Sequence, residues 1–146
     1  MKNKISKEYL AGILDGEGYI GISSRKMSGR RNYVERVVIV LSAKGGGLKV
    51  LEYFKRYYGG KIYKKKIYKY KTSFNPNRVL WGYEASHLKA RKILKDLLPY
   101  LIIKRQQANL AIKCGSNKTT ADKKGVPIKE LERRYNLYLK VRKLNQ

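Results

Sequence analysis

The sequence has one cysteine, one histidine, three prolines and 10 acidic residues among its 146 positions. A lone cysteine excludes a disulfide framework, and with a lone histidine it excludes the usual Cys/His zinc sites within one chain. The apolar runs are too short to cross a bilayer, and the opening stretch MKNKISKEYL lacks the apolar segment of a secretion signal. We therefore expect a soluble intracellular protein, in the cytoplasm or in an organelle matrix.

The scarcity of acidic side chains leaves the chain strongly basic. Its 35 lysines and arginines give a formal net charge of +25, which indicates a densely anionic partner. With 42% hydrophobic residues and 13 tyrosines it can still fill the core of a domain. No GxxxxGK[ST] loop occurs, so no nucleotide cofactor is indicated. We expect one domain over 1–146, with a core at about 5–114, a linker at about 115–125 and a C-terminal helix at about 127–144.

The periodicity of the apolar residues predicts an α+β domain with an α-ββ-α-ββ-α core and a helical tail. We place the first helix between a cap at Asn3 or Ser6 and a stop at Gly16 or Gly18, with Ile5, Tyr9 and Ile13 as its apolar face and Leu10 and Leu14 beside it. The remaining predicted elements are strands at 19–26 and 33–44, a helix at 48–58, strands at 61–70 and 78–85, a helix from 87 that Pro99 interrupts, and helices at about 102–114 and 127–144.

Lysines are concentrated at 60–71, where six of them and no acid are interleaved with isoleucine and tyrosine. Strand alternation puts Lys64 and Lys66 on one face, and likewise Ser23 and Arg25 on one face of the first hairpin. Such a face is either simply solvated or, since a β-ribbon can enter the major groove, a surface for DNA. The DNA-binding candidates are Ser23, Arg25, Lys26, Arg30, Arg31, Arg36, Lys64, Lys66, Lys69 and Trp81.

The stretch LAGILDGEG, residues 10–18, holds two acids, Asp15 and Glu17, that are separated by a single residue. Glu17 follows a predicted helix end, where a carboxylate and the carbonyl of Gly16 suit Mg²⁺, which prefers oxygen ligands. Gly12 and Gly16 form a small-residue stripe on which a second copy of the helix can pack. The predicted interface residues are Leu10, Gly12, Ile13 and Gly16. The alternative is a glycine C-cap followed by a surface glutamate.

LAGILDGEG resembles the signature of the LAGLIDADG homing endonucleases. The predicted element order is similar to the core of that family, and PYLIIKRQQANLA, residues 99–111, resembles the helix with lysine and glutamine that follows the second hairpin in single-motif members. The resemblance covers most of 5–114. It implies that Glu17 is the metal-binding carboxylate, with the carbonyl of Gly16 as a second ligand, that Asp15 is structural, and that Lys104 lies near the active site, where it assists the attacking water or stabilises the phosphorane.

Two positions depart from the family pattern. Glu17 stands where aspartate is usual, and Ala43 stands where a polar residue, often glutamine, is common at the end of the second strand. Ser42 and Lys44 are the neighbours that can substitute for the missing polar group. These departures put full activity in question.

Only one copy of the motif is present, so the resemblance implies a homodimer with two active sites. It further implies Mg²⁺-dependent cleavage of a long, roughly palindromic DNA site with 3′ overhangs, with Mn²⁺ as a substitute, in the manner of intron homing. Two alternatives keep the basic surface: a non-cleaving relative such as an RNA maturase, and an unrelated basic RNA-binding protein, which leaves LAGILDGEG unexplained.

Overall fold

The protein, described here by a computed structural model over residues 4–27, 30–65, 79–115 and 126–146, forms a four-stranded antiparallel sheet with helices packed on one face. The order of the strands is β1-β2-β4-β3. This agrees with the predicted α+β class and element order. The elements are α1 Lys7–Glu17, β1 Gly18–Met27, β2 Arg30–Ser42, α2 Gly47–Tyr58, β3 Lys61–Lys65, β4 Leu80–Ser86, α3 His87–Leu97, α4 Arg105–Gly115 and α5 Ile128–Leu144.

Helix α1 begins where the Ser6 hydroxyl accepts a hydrogen bond from the Tyr9 amide, as a Ser N-cap does. Its buried side consists of Leu10, Ala11, Leu14 and Asp15. The predicted face through Tyr9 is wrong, since Tyr9 is 51% exposed. The helix carries two adjacent apolar stripes, and the core takes the stripe in which two leucines lie one turn apart.

This choice also corrects the predicted interface. Leu10 is only 2% exposed and lies in the core of its own protomer, so it is not available to a second chain. Gly12 and Gly16 lie exposed on the other side of the helix, with Ile13 partly buried.

The two faces of the sheet differ in character. The face toward the helices carries Ile20, Val37, Ile39 and Tyr83, which are fully buried. They pack with leucines of α1, α2 and α3 into one hydrophobic core. We call the opposite face, defined by the register that pairs Gly21 with Arg36 and Arg36 with Ser86, the open face.

The C-terminal helix is part of this core rather than a separate tail. Arg134 in α5 donates to Asn32 Oδ1 in β2 at 2.9 Å, and Asn145, just after α5, donates through Nδ2 to the carbonyl of Ile20 at 3.0 Å. Val141 is 1% exposed within the hydrophobic cluster. These contacts fix α5 against β1, β2 and α4.

Three predicted boundaries shift. β2 begins at Arg30, so Arg30 and Arg31 belong to a strand and not to the turn. β4 begins at Leu80 and α4 at Arg105, each a few residues later than predicted. The SFNPN turn, with Lys66 and Lys69, lies outside the described residues.

A buried ion pair joins the sheet to α3. Arg91 donates through Nε and Nη2 to Glu35 Oε1 at 3.0 and 2.8 Å, and the Glu35 side chain is 3% exposed. We expect Arg91→Met to lower the free energy of unfolding by about 3 to 5 kcal/mol, because the glutamate is left buried and unpaired. Urea denaturation measures this.

A surface pair serves as the control for this prediction. Lys7→Met removes the Lys7–Asp96 pair, whose side chains are 53% and 31% exposed, and should leave the free energy of unfolding nearly unchanged, because solvent screens the pair. Equal losses in Arg91→Met and Lys7→Met would contradict a special role for the buried pair.

Candidate active site and nucleic-acid interface

Asp15 joins the end of α1 to the start of α4. Its carboxylate accepts hydrogen bonds from the backbone amides of Ile102, Ile103 and Lys104 at 2.8, 3.3 and 3.0 Å. Consecutive amides at a helix start lack intrahelical partners, and a carboxylate is a strong acceptor for them. Asp15 is therefore 9% exposed and occupied with the backbone, in agreement with a structural role.

Lys104 makes the reciprocal connection. Its Nζ donates to the carbonyl of Leu14 at 3.1 Å and also to the carbonyl of Asp15. The ammonium thus lies at the C-terminus of α1, the negative end of the helix dipole. Burial lowers the pKa of Lys104, while Asp15 and Glu17 act to raise it. We call the contacts of Asp15 and Lys104 the α1–α4 clasp.

Glu17 is the last residue of α1 and is exposed, in contrast to Asp15. The chain turns directly into β1 at Gly18, where a Cβ would lie 2.6 Å from the carbonyl oxygen of Leu14. This contact explains the glycine, since no side chain fits between the strand start and the preceding turn. Glu17 is thereby fixed at the point where α1 meets the sheet.

The donors at this point suit a hard cation. Glu17 offers an exposed carboxylate, and Lys104 occupies the carbonyls of Leu14 and Asp15, which directly precede that of Gly16. Mg²⁺ is usually held by one or two carboxylates together with substrate phosphate and water. Within the described residues no group of three or more His, Cys, Asp or Glu side chains comes together to hold a metal.

The outward side of α1 is open. A Cβ built on Gly12 or on Gly16 meets nothing within 4 Å. Beyond the end of the helix, Ile102 and Ile103 are 84% and 70% exposed although the clasp fixes their backbone. A surface of glycine and isoleucine next to Glu17 is thus available to a partner.

The open face of the sheet is basic. Arg25 and Arg36 lie on it, with Ser23 on the same side of β1, as strand alternation predicts. Lys61 and Lys65 of β3 share this face, because they pair with Glu84 and Leu80 of β4.

Two DNA-binding candidates lie on the other face. Lys64 and Trp81 pair with each other, and Trp81 pairs with Leu41 on the helix side, where it packs against the core. The prediction that Lys64 and Trp81 share the DNA-binding face of Arg25 and Arg36 is therefore wrong: each strand is shifted by one residue relative to that expectation. The buried Tyr83 sets the register of β4 and turns every odd-numbered neighbour inward.

The remaining candidates are at the tip of the first hairpin or outside the described part. Lys26 and Arg31 are exposed and pair with each other, and strand alternation places both on the helix side of the sheet. Arg30 pairs with Met27, and its side chain lies outside the described part, as do Lys66 and Lys69 altogether.

Ala43 follows β2 and is exposed. Its amide donates to the carbonyl of Val79 at 3.0 Å, and the Ser42 hydroxyl next to it accepts from the Lys44 amide at 3.4 Å. Ser42 is thus already engaged locally, which leaves the Lys44 side chain, of the two proposed substitutes, as the one that extends from this turn.

The fold is shared with DNA-cleaving proteins. The structure aligns with the homing endonuclease I-CvuI in complex with the I-CreI target and Mg, at a TM-score of 0.72 and 21% identity, over 94% of this chain and 80% of that one. It also aligns with I-TnaI at 0.59 and 15%, over 97% of each chain, and with DNA-bound I-SmaMI at 0.66 and 22%, over 96% of this chain and 46% of that one. No curated protein sequence matches.

A family model described as LAGLIDADG endonuclease matches residues 10–101, which is more than half of the chain. The chain therefore belongs to the LAGLIDADG endonuclease family, and the resemblance seen at LAGILDGEG is confirmed. Family and fold together support a site-specific DNA endonuclease. Among the described residues no helix is long and apolar enough to span a membrane.

Sequence reasoning missed Lys61, Lys65 and Glu84 on the open face. Glu84 in β4 is an acid on this basic surface, within 4.0 Å of cations from three other strands. The sequence contains a signal for Glu84, because acids are rare in the strands: among the described residues the strands contain only one other acid, Glu35.

The two acids of the motif should respond differently to neutralisation. We expect Asp15→Asn to lower the free energy of unfolding by about 2 kcal/mol, because the amide group offers a donor where three backbone amides need acceptors. Glu17→Gln, at an exposed position, should change it by less than about 0.5 kcal/mol. Chemical denaturation of both variants measures the difference, and a stable Asp15→Asn protein would contradict the clasp.

Proposed function

We propose that the chain is a site-specific endonuclease that binds double-stranded DNA as a homodimer. Each DNA strand is cut in an active site that contains the Glu17 of one protomer. The observation that carries this proposal is the position of Glu17. It is exposed where the glycine side of α1 meets the basic open face, and the α1–α4 clasp fixes it there. A second chain and a DNA strand can thus both reach it.

The proposed dimer is two-fold symmetric, with α1 packed on its copy, and we call this α1–α1 interface the seam. The open space at Gly12 and Gly16 supports this, since small residues allow two helix backbones to approach closely. Exposed Ile102 and Ile103 extend the seam with apolar surface. A two-fold axis between the helices brings two Glu17 residues together and continues the two open faces into one long basic surface.

Glu17 and the carbonyl of Gly16 are the proposed ligands of a divalent cation, Mg²⁺ with Mn²⁺ as a substitute, together with a DNA phosphate. Such a cation, when bound, makes its water more acidic and stabilises charge on the leaving oxygen. Lys104 holds a proton close to this point through its contacts with the α1 carbonyls. It can donate a hydrogen bond to the developing charge on the phosphate.

The proposed target is a roughly palindromic site whose half-sites lie about 10 base pairs apart, because a two-fold protein reads matching half-sites one helical turn apart. Cleavage leaves 3′ overhangs, as in intron homing. The second candidate is a non-cleaving relative such as an RNA maturase. It requires no acid at residue 17, and the exposed carboxylate of Glu17 therefore favours the nuclease.

Glu17 should be needed for cleavage and not for binding. We expect Glu17→Gln to reduce single-turnover cleavage of a selected DNA site in Mg²⁺ by at least about 1,000-fold and to retain DNA affinity within a few-fold. The matched control is Glu8→Gln, an exposed acid in the first turn of α1, which should cleave like the wild type. Unchanged cleavage in Glu17→Gln, or tight RNA binding with no DNA cut at any sequence, would contradict the proposal.

The seam should be sensitive to bulk at a position that is empty in the protomer. We expect Gly12→Leu to fold normally and to shift the chain from dimer to monomer in sedimentation velocity, because the added side chain separates the two helices. Lys95→Leu on α3 adds the same side chain at an exposed site elsewhere and should remain dimeric. A fully dimeric Gly12→Leu protein would exclude this seam.

A further inference from the structure

Glu84 connects the four strands of the sheet on the open face. Its Oε1 lies 3.1 Å from Nε of Arg36 in β2 and 3.7 Å from Nη2 of Arg25 in β1, and its Oε2 lies 4.0 Å from Nζ of Lys61 in β3. The Glu84 side chain is 14% exposed, whereas those of Arg25, Arg36 and Lys61 are 48%, 35% and 72% exposed. One largely covered carboxylate is thus surrounded by cations that remain accessible.

An acid at this place is unfavourable for simple phosphate binding. Like charges repel across an interface, so Glu84 lowers the affinity of the open face for any DNA backbone. Strand pairing does not depend on it, because the backbone ladder already joins β4 to β2 and β3. What the carboxylate adds is a fixed orientation for arginine side chains that otherwise have many rotamers.

The orientation suits base recognition. Arg36 donates to Glu84 through Nε, so this bond does not engage its Nη1 and Nη2 edge. In protein–DNA recognition generally, this edge of an arginine can make two parallel hydrogen bonds to O6 and N7 of guanine, a contact that requires a fixed guanidinium plane. A phosphate, in contrast to a base edge, can be bound equally well by a cation whose side chain is mobile.

The surface beside the cluster is kept flat. A Cβ at Gly21, the partner of Arg36 in β1, would lie 2.6 Å from Cε1 of Tyr19, and one at Gly82 would lie 2.7 Å from the Tyr63 hydroxyl. Each tyrosine ring thus occupies the space above a glycine and lies against the sheet. The arginines are therefore not enclosed by taller side chains at these two positions.

We propose that Glu84 is a positioning residue for sequence recognition: it holds Arg36 and Arg25 to read base edges, guanine above all, and it does so by giving up non-specific affinity. This inference rests on the proposed function, since it requires a chain that selects a DNA sequence.

The test compares base preference and non-specific affinity. Wild-type protein is first used to select binding sites from a random-sequence duplex library in Ca²⁺. The variants Glu84→Gln, Glu84→Asp and Glu52→Gln are then run on the same library and on one unselected duplex. Glu52 is an exposed acid on α2, so Glu52→Gln makes the same charge change away from the sheet.

Glu84→Gln should bind the unselected duplex about 3- to 10-fold more tightly at low salt, with a log-log salt slope steeper by about 0.9 for each additional phosphate that the surface neutralises. It should lose at least about 10-fold of the preference at one or two guanine positions in each half-site. Glu84→Asp keeps the charge but withdraws the carboxylate, and should lose the preference without the increase in affinity. Glu52→Gln should retain the full preference.

Retention of wild-type base preference by both Glu84 variants would overturn the inference and leave the proposed function intact. Loss of preference in Glu52→Gln equal to that in Glu84→Gln would overturn it too, because net charge alone would then suffice. If the wild-type chain enriches no sequence at all, the proposed function itself fails.

Discussion

The α1–α4 clasp is the interaction on which the site depends. A single carboxylate, Asp15, satisfies three amides ahead of α4, and Lys104 returns to two carbonyls at the end of α1. These bonds join the end of α1 directly to the segment that leads into α4, so the two hold each other in place. The next acid along, Glu17, is consequently left exposed at a fixed point instead of being used to cap the helix.

The rest of the molecule separates two surfaces that meet at this point. One is the glycine side of α1, uncharged and open; the other is the basic face of the sheet, whose strands follow directly from Gly18. A net charge of +25 provides attraction to any nucleic acid, and attraction alone does not discriminate between sequences. Glu84 among the arginines is the feature of the sheet that trades attraction for orientation.

The sequence predicted the fold class, the element order and the family, because LAGILDGEG, the glycine stops and the alternating strands are local signals. It could not choose between the two apolar stripes of α1, since that choice depends on which leucines meet the sheet. It also misplaced Lys64 and Trp81, because alternation gives two faces and only strand pairing decides which one the helices cover. The three amides bound by Asp15 come from nearly ninety residues away and have no local signal.

The central claim is that α1 forms the dimer seam and supplies a metal ligand at its end. A crystal structure of the chain on its selected duplex with Ca²⁺ tests it most directly, since I-SmaMI was captured on uncleaved DNA with calcium ions. The claim predicts two protomers with their α1 axes about 8 Å apart and a cation contacting each Glu17. An α1 facing solvent, or cations bound away from Glu17, would contradict it.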